Sequence, residues 1–369
     1  MTQTDPRLTA LVGALPATVP FVGPETQERA RDRVFTARLG ANESVFGPSP
    51  AVRDAIARTA PDAWKYGDPE AHDLRAALAR HHGVPIEAII AGEGIDGLLG
   101  YLVRAFVAPG DAVVTSDGAY PTFNYHVAGF GGALHKVPYL GDHEDGAALL
   151  AKAAETGAKL IYMANPDNPM GSWHDAAAIQ RLIDAVPSQA LLVLDEAYGD
   201  TAPLGTLPPL DPEERRVIRM RTFSKAYGIA GMRVGYAIGH PDVIAAFHRI
   251  RNHFGLGRVS QAAALAALTD QAYLAATIAR IAASREKIAQ IARANGLAPL
   301  PSATNFVAID CGADGAYARS LVEELAALGI FTRMPFVAPQ DRCIRVSSGT
   351  DFDLKHLATA LPKALQKLG

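Results

Sequence analysis

A chain of 369 residues with 35 Lys and Arg against 38 Asp and Glu carries a formal net charge of −3, which offers no broad positive field to a nucleic acid or an anionic membrane. Its 49% hydrophobic and 20% charged content excludes a disordered chain and fits two domains, or one large domain with an appendage. Cys311 and Cys343 are the only cysteines, with no CxxC pair and no disulfide framework, which fits a reducing cytoplasm. None of the 11 histidines stands at HExxH or another ligand spacing, so no metal is expected.

Residues 1–45 are Pro-rich and irregular, a segment expected to pack on the smaller domain or on a partner subunit. The start lacks a basic stretch and a long apolar run, so no signal peptide is read, and nowhere does a run approach the roughly 18 apolar residues of a membrane span. AVRDAIARTA (51–60) and AHDLRAALARHHG (71–83) have helical spacing. Strand-like runs follow at 86–92, 111–117, 158–165, 190–198, 215–223 and 233–239, with helix candidates at 95–106 and 174–186 between them. Strands interleaved with helices predict an α/β fold: a large, mostly parallel sheet with helices on both faces, over 46–260. An Ala-rich helical stretch at 261–296 opens a smaller α+β domain over 261–369, with strand-like NFVAIDCG, IFTRM and CIRVSSGT.

Ligands of such sheets sit at the carboxyl ends of the strands. Those ends carry Asn165 and Asn168, then Asp195 and Tyr198, then Ser224 and Lys225. Asp195 closes an apolar strand, where a carboxylate needs a strong partner. Lys225 stands among small and hydroxylated residues, and a partly desolvated amine becomes nucleophilic. GEGIDG (92–97) matches GxGxxG, but no acid at the usual spacing stands out as a ribose ligand, since Asp117 has a turn-like setting. What remains is a helix N-terminus whose free amides suit a phosphate. One ligand explains the set: a phosphate for 94–97, Ser224 and Arg233, a ring nitrogen for Asp195, a phenolic oxygen for Asn168 and Tyr198, and an aldehyde for Lys225. That ligand is pyridoxal 5′-phosphate.

ANPDNPMG (164–171), DEAY (195–198) and SKAYGIAGMRVGY (224–236) resemble, in order and spacing, the signature blocks of the fold-type I pyridoxal-phosphate-dependent aminotransferases. LGANES, KYGDPEAHDLRAALA and CIRVSSGT bring the chain nearest to the histidinol-phosphate aminotransferase subgroup. The resemblance implies that Lys225 forms the Schiff base and shuttles a proton, with Asp195 on the pyridine nitrogen and Asn168 and Tyr198 on the phenolic oxygen. It implies Thr222, Ser224, Arg233 and the amides of Gly94, Ile95 and Asp96 around the phosphate. Tyr66 matches a tyrosine that reaches the neighbouring subunit's phosphate, which implies a homodimer with shared sites. Phe123 matches the aromatic stacked on the cofactor, with Tyr120 as runner-up. Arg345 and Arg333 match substrate-anion arginines.

Departures fall where specificity is decided. Phe21 stands where the subgroup has a tyrosine that touches the substrate phosphate, Ile95 replaces a serine, and the NENP-like block reads NESV. Gly255 replaces a customary asparagine, and Arg258 nearby is a candidate anion contact. The expected activity is ping-pong exchange of an amino group between an amino acid or histidinol phosphate and a 2-oxo acid or related carbonyl. An aromatic or broad-specificity aminotransferase, and a lyase like threonine-phosphate decarboxylase, stay open.

Overall fold

The computed structural model describes residues 7–17 and 22–369. Seven strands form the main sheet in the order Ile89–Gly92, Gly235–Gly239, Val217–Thr222, Leu191–Asp195, Leu160–Ala164, Ala112–Ser116, Ala133–Val137. Gly235–Gly239 runs antiparallel to both neighbours, and every other pairing beyond it is parallel. The central strands Leu160–Ala164 and Leu191–Asp195 are buried at every position, as both-face burial of a parallel sheet demands. The edge strand Ala133–Val137 has no counterpart in the sequence reading. Four of its five residues are only half-buried or exposed, and His135 and Lys136 interrupt the apolar run that marks the inner strands.

Helices start where local chemistry permits. Ser49 caps Pro50–Thr59 by accepting from the Val52 amide, with proline at the first helical position. Asp175 caps Ala176–Asp184 in the same way. Thr350 and Asp353 form a reciprocal capping box on the last helix, Asp351–Leu368.

Beyond the main sheet, Phe306–Asp310 pairs antiparallel with Cys343–Ser347 and with Ala298–Pro299. The strand Ala37–Arg38 pairs parallel with Ile330–Phe331, so the N-terminal segment joins the C-terminal core through Ala37 and Leu39. Residue 260, the expected end of the large domain, lies inside the helix Arg258–Thr269. Ala263, Ala264 and Ala267 of that helix pack with Phe223 and Tyr227 of the large sheet's side. The following helix, Gln271–Ala294, gives Leu274 and Ile281 to that same core and Ile288 and Ala292 to the C-terminal one. An Ala-rich sequence runs through both cores without a change of texture, which hides the boundary.

Candidate active site

Three parallel strands end side by side at Ala164, Asp195 and Thr222, with Ala164 in register with Asp195 and Asp195 with Met220. Their ends open into a cavity of about 320 Å³. Asn168, Asp195, Tyr198, Thr222, Ser224, Lys225, Arg233, Ile95 and Asp96 all line it, together with Tyr120 and Tyr162.

Asp195 is buried, and its carboxylate accepts from the Tyr162 hydroxyl at 2.6 Å and from the Ala197 amide at 2.9 Å. Burial pushes its pKa up to about 6, and the two donors hold it back from a larger rise. Tyr162 is a site residue that the sequence reading misses. Its signal is a hydroxyl placed inside an otherwise apolar strand, which needs a buried partner.

At the opposite end the loop after Val217–Thr222 makes a polar cradle. Thr222 Oγ1 donates to Ser224 Oγ at 3.0 Å, and Arg233 Nη1 reaches Ser224 Oγ at 3.4 Å. Facing them is the start of the helix Gly94–Phe106, which has no side-chain cap, so the first-turn amides carry the helix's partial positive charge uncovered. Gly94 has φ +75°, and a Cβ there would lie 2.6 Å from Arg233 Nη2. Glycine suits this left-handed position and leaves Arg233 its place beside the helix start. Ile95 turns its side chain into the core, so no hydroxyl is offered at that position.

Lys225 Nζ donates to the Asn42 carbonyl at 3.2 Å and lies 5.4 Å from the centre of the Tyr198 ring. The Tyr198 hydroxyl accepts from Asn42 Nδ2 at 3.0 Å. An adjoining cavity of about 120 Å³ shares Tyr120, Asn168, Tyr198 and Lys225 with the first and is closed by Arg333 and Arg345. Arg345 is buried, donates to Asn168 Oδ1, and has an Nε with no hydrogen-bond partner. Burial pulls its pKa down. Arg333 and Arg345 exchange backbone hydrogen bonds across an isolated bridge, and burial with the neighbouring Arg345 lowers Arg333 to about 10. Two guanidiniums lining one cavity with no carboxylate among its lining residues form a wall that an anion would complete.

Five expectations need correction or placing. Phe123 is fully buried and stacked on Tyr162, with centroids 4.5 Å apart, and does not line the cavity. Tyr120 does, its hydroxyl donating to Asp96 at 2.8 Å. The reason is the helix Pro121–Gly129: Tyr120 precedes its first residue and faces the strand ends, whereas Phe123 lies in the first turn and faces the core. Tyr66 lies outside the cavity of its own chain, 77% exposed, against Phe254. Arg258 donates to the Tyr66 carbonyl at 2.9 and 3.2 Å, which accounts for it without an anion. Phe21 lies outside the described residues. At Gly255 a Cβ would fall 1.5 Å from Glu93 Oε1, which accepts from the Tyr101 hydroxyl at 3.0 Å. Glycine at 255 is thus the counterpart of glutamate at 93.

The amine, the buried carboxylate and the anion cradle fit pyridoxal 5′-phosphate in type, number and placement. Among the described residues no cluster of His, Cys, Asp or Glu would hold a metal, and no single helix is long and apolar enough to cross a membrane. The family model for aminotransferase class I and II matches residues 36–361. The crystal structure of histidinol-phosphate aminotransferase from Sinorhizobium meliloti in complex with pyridoxal-5′-phosphate superposes with a TM-score of 0.95, at 54% identity over 99% of both chains. Histidinol-phosphate aminotransferase 1 of Mesorhizobium japonicum is 34% identical over 335 residues, 89% of this chain and 90% of that one. An aromatic amino acid aminotransferase of Nocardia farcinica is 36% identical over 309 residues, 82% of this chain and 86% of its own.

Proposed function

The chain belongs to the class I and II aminotransferases, enzymes that work with pyridoxal 5′-phosphate, and from that premise we propose that its amino donor is histidinol phosphate. A 2-oxo acid takes the amino group in the second half-reaction at the same site, which places the enzyme in histidine biosynthesis. The observation that carries the donor is the 54% identity, over 99% of both chains, to the Sinorhizobium meliloti histidinol-phosphate aminotransferase. The two-arginine wall supports it, since one pair of forks suits the donor's phosphate and then the carboxylate of the acceptor.

When bound, the cofactor supplies an aldehyde that condenses with amines and a ring that draws electrons from the bond being broken. The chain's residues do the rest. Lys225, whose amine reaches the cavity, would hold the cofactor covalently and, when free, would carry a proton between the substrate α-carbon and the cofactor's C4′. Asp195, held toward its ionised form by Tyr162 and the Ala197 amide, keeps a proton on the ring nitrogen. Asn168 and Tyr198 bind the ring oxygen, and Tyr120, not Phe123, covers the ring. Thr222, Ser224, Arg233 and the amides of Gly94, Ile95 and Asp96 fix the phosphate. In this reading residues 46–260 hold the cofactor, and the C-terminal domain from 261 supplies the arginines. The working unit is a cytoplasmic homodimer in which the exposed Tyr66 completes the partner's phosphate site.

The test is a comparison of kcat/KM. Histidinol phosphate should exceed phenylalanine by about 100-fold or more, as a site built for an anion rejects a donor lacking it. A preference for phenylalanine would make the enzyme an aromatic aminotransferase. Carbon dioxide released from threonine phosphate without an acceptor would make it a lyase.

A further inference from the structure

We propose that Asn42 is a positioning residue that fixes the direction of the Tyr198 hydroxyl proton, so that Tyr198 donates into the cofactor cavity. The inference rests on Tyr198 being a ligand of the cofactor's ring oxygen. It adds the device that makes this tyrosine a donor.

Asn42 is buried and has φ +56°, a left-handed backbone that asparagine tolerates better than most residues. Its polar groups are engaged on both sides of the cleft. The backbone amide donates to Ser347 Oγ at 3.0 Å, and the Ser347 hydroxyl donates to Asn42 Oδ1 at 2.9 Å. The side-chain nitrogen donates to the Tyr198 hydroxyl oxygen at 3.0 Å. The carbonyl accepts from Lys225 Nζ at 3.2 Å and from Asn305 Nδ2 at 2.9 Å.

The orientation of the amide follows from this accounting. A backbone N–H only donates, so Ser347 Oγ accepts from Asn42, and the buried serine must place its own proton elsewhere. Asn42 Oδ1 is the acceptor in reach. Turning the amide over would face Ser347 with a second donor and leave its hydroxyl proton without an acceptor. Nδ2 therefore faces Tyr198. A hydroxyl that accepts from Nδ2–H cannot send its own proton back along the same line. Tyr198 lines both cavities, and its proton is left for an acceptor on the cavity side.

Ser347 ends one C-terminal strand and Asn305 directly precedes another. The C-terminal sheet thus sets a hydrogen-bond direction that is expressed at a residue of the large sheet's side. A donor to an anionic ring oxygen stabilises the unprotonated state of the bound cofactor, so losing it raises the pH at which the cofactor's visible absorbance titrates.

The experiment is a double-mutant cycle on the holoenzyme, read as the pH midpoint of that absorbance, with Tyr198→Phe, Asn42→Asp and both together. Tyr198→Phe should raise the midpoint by about one pH unit. Asn42→Asp replaces the donor by an acceptor, draws the Tyr198 proton to itself, and should raise the midpoint by a similar amount. In the Tyr198→Phe background the same change should add less than half of that shift, because only its charge still acts. Asn42→Gly, which suits the left-handed backbone and adds no charge, should give a smaller rise that disappears when combined with Tyr198→Phe. Equal shifts by Asn42→Asp in both backgrounds, or none while Tyr198→Phe does shift, would overturn the role of Asn42 and leave Tyr198 a ligand. No shift with Tyr198→Phe would remove the ligand reading itself.

Discussion

The wall of the cleft built on the large sheet and the wall built by the C-terminal strands meet at Lys225, and they differ in where their polar groups find partners. On the first, Asp195 has Tyr162 and Ala197, and Thr222 has Ser224. On the second, the buried Arg345 donates to Asn168 Oδ1 and Arg333 donates to the Val22 carbonyl at 2.6 Å, and neither is paired with a carboxylate lining the cavity. The first wall is satisfied in advance and holds a resident group in one pose. The second presents two guanidiniums to a cavity whose lining holds no carboxylate, which suits an anionic substrate that must bind and release at each half-reaction.

Changes on the first wall should abolish chemistry. Lys225→Ala removes both the covalent tether and the proton carrier, and should lower kcat by about 10⁴-fold or more, measured in steady state with added cofactor. A residual rate near wild type would break the comparison. Asp195→Asn should cost roughly 10²–10³-fold in kcat, as expected for loss of a buried electrostatic partner. The apoprotein sharpens that test. Burial holds Asp195 at about 6, above the ordinary carboxylate value of the unfolded chain. The folded state thus keeps its proton longer, and this group costs stability as pH rises from about 4 to about 6. Apo Asp195→Asn should therefore lack the fall in stability that wild type shows between about pH 4 and about pH 6, read by chemical denaturation at both ends of that window.

On the second wall the effect should fall on binding. Arg345→Lys keeps the charge and loses the fork, so KM for histidinol phosphate should rise roughly 10–100-fold, with a smaller change in kcat. Affinity for the cofactor, read by equilibrium titration of the apoprotein, should fall far less, since Arg345 reaches that site only through Asn168. The smallest effect lies outside both walls. Gly255→Ala must push Glu93 off Tyr101 and should cost about 1 kcal/mol in chemical denaturation, with selectivity between donors unchanged.

The two walls are also unequally legible in the sequence. Asp195, Ser224, Lys225 and Arg233 stand at strand ends and in a glycine-rich turn, where taken together, though not singly, they imply one ligand, and all four line one cavity. Arg333 and Arg345 sit in short strand-like runs in which an arginine reads as an ordinary edge residue, and only the family resemblance picks them out. Tyr120 and Phe123 are three positions apart, and which one faces the cavity depends on where Pro121–Gly129 begins, a matter of one residue that composition does not fix. Asn42 is invisible in the sequence because its importance lies in partners at 198, 305 and 347, far along the chain. The strand Ala133–Val137 is hidden by its exposed edge.

The central claim is that the C-terminal wall selects an anionic donor for a cofactor held by the large sheet. The most direct test mixes holoenzyme with histidinol phosphate or with histidinol, without an acceptor, and follows loss of the cofactor's visible band. Conversion should occur at about 100-fold lower concentration of the phosphorylated donor, the worth of charge-assisted bonds to the two arginines. Equal conversion by both would contradict the assignment of that wall.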